Sequence, residues 1–165
     1  MDRRRPVAVV LVALAVSLAG VLAFAPGLLM QTGEYERTTV TAVDANGTEL
    51  ATVDMRVADT YSKRYTGLSD TESLPEGEGM LFVHDGEGQH DYVMRDMDFP
   101  IDIVFVAENG TVTRIHNAEL PPEGTSGGDL TRYSGTGKYV LEVPYCYTNR
   151  TGIDEGDRIV VEGDY

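Results

Sequence analysis

IDIVFVAENGTVTRIH, residues 101–116, is the stretch that decides the fold. Side chains alternate along an extended strand. Ile101, Ile103 and Phe105 therefore face one way, and Asp102, Val104 and Val106 face the other. A strand apolar on both faces is covered on both, and this one, read over 101–107, is expected at the centre of a sheet. Asn109-Gly110 has the composition of a tight hairpin turn. It returns the chain into a second strand over 111–116, where Arg114 and His116 are read on one face with Val112.

Working outward, residues 35–43 and 49–58 are rich in Thr and Val and flank Asn46-Gly47, a second hairpin signal. Asp59 or Thr60 is placed to cap a short helix over 61–66, which Gly67 ends. Short strands are expected over 80–84 and 91–95, with a turn over 85–89 between them, and further strands over 138–143 and 157–162. A second short helix is read over 145–151. The fold class is mainly β (α+β), a compact curved sheet or barrel of short strands with two short helices. Residues 120–137, with two prolines and five glycines, read as a long loop of the kind that forms lids or binding rims.

Two acids stand on apolar strands. Asp102 loses hydration unless something pairs it, and Arg95, at the end of the preceding strand, is the expected partner. Such a pair beside a cavity would be a ligand clamp, because guanidinium recognises carboxylates and hydroxyl-rich ligands through several donors. In a wholly buried setting it would fix register only. Glu142 shares a strand face with Lys138 and Val140. If both strands line one cavity, Asp102 and Glu142 are candidates for paired-carboxylate acid–base work.

The N-terminal segment sets the location. Arg3, Arg4 and Arg5 precede 24 residues without a charge, Val7 to Met30. As a helix these rise about 36 Å, enough to cross a hydrocarbon core of about 30 Å. The basic flank stays in the cytoplasm. The expected organisation is a cytoplasmic flank over 1–6, a transmembrane anchor or uncleaved signal over 7–30, a tether over 31–36 and an extracytoplasmic domain over 37–165. Ala23-Phe24-Ala25 resembles a cleavage site, but Pro26 follows directly, and the apolar run exceeds an ordinary signal core. Asn46, Asn109 and Asn149 each begin an Asn-x-Ser/Thr sequon and are candidate glycosylation sites on the exposed side. The first two also suit a turn with positive φ.

The chain carries 27 acidic residues against 13 Lys and Arg, formal net charge −14. Met1 to Met30 carry three arginines and one aspartate, net +2, so the chain from Gln31 onward carries −16. Charge of one sign opposes compaction unless salt screens it. A salt-adapted host, such as a haloarchaeon, is the expectation, with most surface acids serving solvation. Such a chain repels nucleic-acid phosphates, so no nucleic-acid partner is expected. Cys146 is the single cysteine, read as a buried, inert thiol. His84, His90 and His116 match no zinc spacing, and neither metal nor cofactor is expected.

Six segments in order, "ADTYSKRYTGL" from Ala58, "LPEGEGMLFV" from Leu74, "YVMRDMDFPIDIVFV" from Tyr92, "GTVTRIH" from Gly110, "KYVLEVP" from Lys138 and "GIDEGDRIVV" from Gly152, resemble the uncharacterised family known as domain of unknown function 192. The resemblance implies a compact, mainly β domain with a short helix after its second strand, often behind a signal or anchor. The family carries no established activity. Its central block usually reads Met-Lys-Asn, then Pro-Leu-Asp; here stand Met94-Arg95-Asp96 and Pro100-Ile101-Asp102. Many members carry a cysteine in the loop after the central hairpin, where this chain has Pro121-Pro122-Glu123. Thiol or metal chemistry at that cysteine therefore does not transfer.

Three function classes follow. The favoured one is a membrane-tethered module binding a small polar or sugar-like ligand, with Arg95, Asp102, Tyr92 and Tyr133 lining the pocket. The second is a carboxylate-based, glycosidase-like hydrolase using Asp102 and Glu142. The third is an envelope assembly domain without a pocket. The balance leans away from an enzyme.

Overall fold

A computed structural model describes residues 35–165. The basic flank, the apolar segment and the tether up to residue 34 lie outside the described residues. Seven strands form one sheet: β1 (Arg37–Val43), β2 (Glu49–Ala58), β3 (Glu78–Tyr92), β4 (Ile101–Val106), β5 (Val112–Ala118), β6 (Tyr133–Pro144) and β7 (Arg158–Val161). Their order is β5-β4-β6-β3-β2-β1-β7. Two short helices complete the fold, α1 (Tyr61–Thr66) between β2 and β3, and α2 (Tyr147–Thr151) after β6. The fold is mainly β, as the strand-rich text implied.

The sheet curls into a half-barrel. At one end its two edges meet in an isolated bridge between Thr111 and Arg158. Around the bridge, Val112 donates to Asp157 and Ile159 donates to Gly110, each at 2.8 Å. Gly110 permits this twice over. Its φ of +88° belongs to glycine, and a Cβ there would lie 2.6 Å from the Ile159 carbonyl. The side chain of Asn109 accepts from Thr111 N–H at 2.9 Å and stiffens the same turn.

The β1–β2 and β4–β5 hairpins form at Asn46-Gly47 and Asn109-Gly110 as read from sequence. Thr60 caps α1 through its hydroxyl, and Gly67 closes it. Because α1 carries the chain back along its own direction, β3 pairs with β2 in parallel.

Other expectations fail. Residues 80–84 and 91–95 are not two strands. One 15-residue strand, β3, runs through the intervening glycines with a register shift between Val83 and Gly88. That makes β3 the middle strand. β4 lies second from an edge, although all six of its residues are buried. The long loop is also shorter than read, since β6 starts at Tyr133 and its partner is the unexpected half of β3. Arg114 does not share a face with Val112. A register shift sets Val112 opposite Val106 but Arg114 opposite Phe105.

Two cores result. All seven strands, with Tyr147 and Ile153, contribute to the one inside the curl, which includes Met55, Leu81, Val104, Val106 and Leu141. The other lies on the opposite face under α1 and its flanking segments, around Phe82, Phe105, Ile103, Met80 and Leu68. Gly135 belongs to this second packing, since a Cβ there would lie 2.3 Å from the Phe105 ring.

Asp102, fully buried, belongs to the first face. Arg95 is not its partner. Its Oδ1 accepts from Asn117 Nδ2 at 2.6 Å and from Cys146 N–H at 2.9 Å. Its Oδ2 accepts from Thr148 N–H at 2.9 Å and from the Thr148 hydroxyl at 2.7 Å. The carboxylate thus caps α2 from another strand, where Cys146, at φ +58°, brings no side-chain cap of its own. Cys146 itself is only partly buried, where a buried thiol is expected from the sequence.

Removing this acceptor strands three buried or half-buried donors, on Cys146 and Thr148, and frees the amide of the exposed Asn117. Asp102→Ala is expected to lose about 3–5 kcal/mol of stability in chemical denaturation, and Asp102→Asn, keeping one acceptor oxygen, to lose less. A change below about 1 kcal/mol for Asp102→Ala would show that the network is not what holds α2.

Candidate functional site

The other face of the sheet carries the site. A cavity of about 420 Å³ opens between α1, β3 and the segment after β3. Tyr92, His84 and His90 from β3, Arg64 and Tyr65 from α1, Arg95 after β3, and Glu142 from β6 line it.

Glu142 is opposite Met80 on one side and Ile103 on the other. It retains 7% of its exposure, and its Oε2 has no hydrogen-bond partner among the described residues. Burial favours the neutral carboxyl and pushes its pKa up to about 8. The Arg56 guanidinium pulls the other way, but less. Arg56 spends Nη2 on the Thr71 hydroxyl at 3.2 Å rather than on Glu142.

Phe82, His84, His90 and Tyr92 pack on one side of β3. The His84 and His90 rings stack at 3.5 Å, 10° from parallel. His90 donates through Nε2 to the Gly137 carbonyl at 3.1 Å. His84 Nε2 and the Tyr92 hydroxyl share a bond of 3.0 Å. Burial, then His90 and Arg64, push the His84 pKa down to about 4, so this imidazole is neutral near pH 7. Burial, then Glu142, raises the Tyr92 phenol, which stays protonated.

Both arginines are held in place by carbonyls. Arg64 Nη1 donates to Asp59 at 2.8 Å and to Val83 at 2.7 Å. Arg95 donates to the Tyr65 carbonyl, a group left free at the end of α1, and its guanidinium sits 4.1 Å over the Tyr65 ring. The Ser69 hydroxyl ties the loop after α1 to the Arg95 carbonyl at 2.8 Å. Asp96, beside it, takes φ +52°, a conformation Asp and Asn tolerate better than most residues. Tyr61 and Tyr65 stack at 6.2 Å on the rim, 78% and 60% exposed.

The structure brings together Arg95, Tyr92 and Glu142, but not the others proposed from sequence. Tyr133 lines a separate hollow of about 260 Å³ with Met94, Leu120 and Pro122. Asp102 faces Val143 across the sheet, while Glu142 faces Ile103. Neighbouring positions on a strand point to opposite faces, so the two acids cannot share a substrate. The paired-carboxylate reading is thereby overturned. Asn46, Asn109 and Asn149 are all exposed. Sequence reasoning missed Arg64, His84 and His90 as cavity residues. The parity of Phe82, His84, His90 and Tyr92 is the signal that a single-strand reading of 78–92 would have used.

The raised pKa of Glu142 has a stability signature. Its folded value lies above its unfolded one, so its contribution is fully present below about pH 4.5 and is lost as pH rises through about 8. The protein is expected to lose stability across that window at up to about 1.4 kcal/mol per pH unit, and Glu142→Gln to flatten the profile. Denaturation midpoints from pH 5 to 9 that run parallel in the two proteins would show Glu142 to be ionised in the fold.

Residues 41–161 match the DUF192 family, described as an uncharacterized ACR. No curated protein matches the chain. Among solved structures, the fold is similar to that of a Sinorhizobium meliloti 1021 protein described provisionally as a transcription regulator. The TM-score is 0.69 at 25% identity, covering 78% of this chain and 95% of that one. A Novosphingobium aromaticivorans protein of unknown function gives a TM-score of 0.68 at 25% identity, covering 79% and 89%. Since the matched residues run from β1 to the end of β7 and take in both cores and the cavity, the chain belongs to the DUF192 family.

Proposed function

We propose that this domain is a binding module for a small polar, sugar-like or acidic ligand, held at the outer face of a membrane by its N-terminal apolar segment. One observation carries the binding reading. Glu142 ends at a cavity of about 420 Å³ with an oxygen that nothing in the described fold satisfies. A buried polar atom without a partner costs about 1–3 kcal/mol, and small-molecule sites are concave, with a few convergent polar groups. The exposed tyrosine pair at the rim supplies a stacking surface, and the carbonyl-held arginines supply oriented donors. The tether reading rests on the uncharged run from Val7 to Met30 behind three arginines. Among the described residues no helix is long and apolar enough to cross a membrane. With the domain outside, the exposed sequons at Asn46, Asn109 and Asn149 are glycan acceptors.

A fragment screen by crystal soaking, using small polyols, carboxylates and amines, is expected to place bound density between α1 and β3. Arg95→Ala is expected to weaken such binding about tenfold or more, with the melting transition retained. Density found only outside the cavity, or collapse of the Arg95→Ala fold, would count against the reading. Cell fractionation tests the tether separately. The full chain is expected in the membrane fraction, with the domain open to protease from outside.

A further inference from the structure

We infer that the cavity takes a small carboxylate, which the Arg64 and Arg95 guanidiniums attract and which shares a hydrogen bond with the otherwise unpartnered Glu142 carboxyl. This rests on the reading of the cavity as a binding site and names the chemical class of its ligand.

Charge is the first ground. The chain has more than twice as many acids as Lys and Arg, yet two of those cations line this one cavity. The acids on its wall are Asp91 and Glu142. Asp91 is already engaged, accepting from the Ser134 hydroxyl at 2.6 Å and pairing with Arg132 at 3.5 Å. Glu142 is neutral below about pH 8. The cavity is thus a cationic spot on an anionic protein, and low-dielectric walls focus such a field.

Geometry is the second ground. Arg64 spends one nitrogen, Nη1, on two carbonyls, and Arg95 spends Nη2 on one. Each fork is oriented before any ligand arrives, and guanidinium matches a carboxylate in two-point geometry. Asp96 lies 4.0 Å from Arg95 but is 82% exposed, so water screens it. A neutral carboxyl offers a proton donor, and a ligand carboxylate is the acceptor that uses both it and the two cations. A ligand ammonium would meet two guanidiniums instead, and a polyol would leave their charge unused. Phe82, Leu68 and Met97 give the rest of the wall to a short apolar body.

Among the groups around Glu142 whose protonation burial shifts, its proton is the one that changes between pH 7 and 9. Arg56 and Arg64 stay charged throughout. His84 is already neutral there, and Tyr92 stays protonated. His90 is held by the Gly137 carbonyl, Asp91 by Ser134, and Tyr61 and Tyr65 stand out at the rim. His116 is two strands from Glu142, across Ile103.

The test is an NMR titration of the protein with propionate, n-propylammonium and 1,2-propanediol, read at Phe82, Tyr92 and residue 142. Propionate is expected to shift these signals, with a dissociation constant that rises about tenfold per pH unit above pH 8. Glu142→Gln keeps a donor and is expected to bind propionate with that pH dependence removed. Glu142→Ala is expected to bind at least tenfold more weakly at pH 7. Preference for the ammonium or the diol at the same signals would overturn the carboxylate assignment while leaving the cavity a binding site. Silence of all three probes at these signals would overturn both. Propionate binding in the unmodified protein that ignores pH from 7 to 9 would remove Glu142 from the contact.

Discussion

A carboxylate taken wholly out of water must find its lost hydrogen bonds inside the protein, and Asp102 does so with four. Those four join three separate parts of the chain. Asn117 comes from β5, and Cys146 and Thr148 come from the start of α2. The turn out of β6 is therefore fixed to the strand beside it. That turn also directs Tyr147 and Ile153 into the interior of the curl. Alternation then does the rest. With Asp102 committed to the inner face, the next register row presents Ile103 and Glu142 to the outer one. One acid holds the fold and the other faces the cavity because they sit a single step apart on paired strands.

The two acids illustrate how environment divides identical chemistry. Each is a carboxyl on an apolar strand, and each has almost no exposed surface. Asp102 meets donors in every direction. Glu142 meets Met80, Ile103 and a space, and burial without donors shifts the balance toward the proton. The same sheet thus contains an acceptor that is full and a group that has kept its hydrogen. Burial acts on His84 nearby with the opposite result for the proton, favouring the uncharged ring that lacks it, and the His90 ring stacked at 3.5 Å adds to the effect.

Much of the fold was legible wherever a local rule governed it. The alternation in 101–107, the Asn-Gly turns, the Thr60 cap and the Gly67 stop all act within a few residues, and all were read correctly. In β3, Gly86, Gly88 and the acids around them have the composition of a turn, while pairing with β6 keeps the strand extended. The need of Asp102 for partners was evident from its place on a buried strand. Their identity was not, because Cys146 and Thr148 lie more than 40 residues further on. Arg95 lines the cavity, yet its own anchor is a backbone carbonyl, which has no signature in a sequence. Glu142 stands out in the sequence as an acid on an apolar strand, but no pattern there says that an oxygen will be left without a partner.

The strand order also governs how this protein must be built. β1, near the start of the described chain, pairs with β2 beside it in sequence and with β7 at the far end, where Val40 meets Val161. Until the last strand has been made, one side of β1 offers unpaired N–H and C=O groups to any extended segment it meets. The bridge between Thr111 and Arg158 waits on the same late arrival. The seam between β1 and β7 therefore closes last, after the pairings that do not need β7. That closure is a non-local step, and until it happens the free edge of β1 is the part of the sheet most open to wrong pairing.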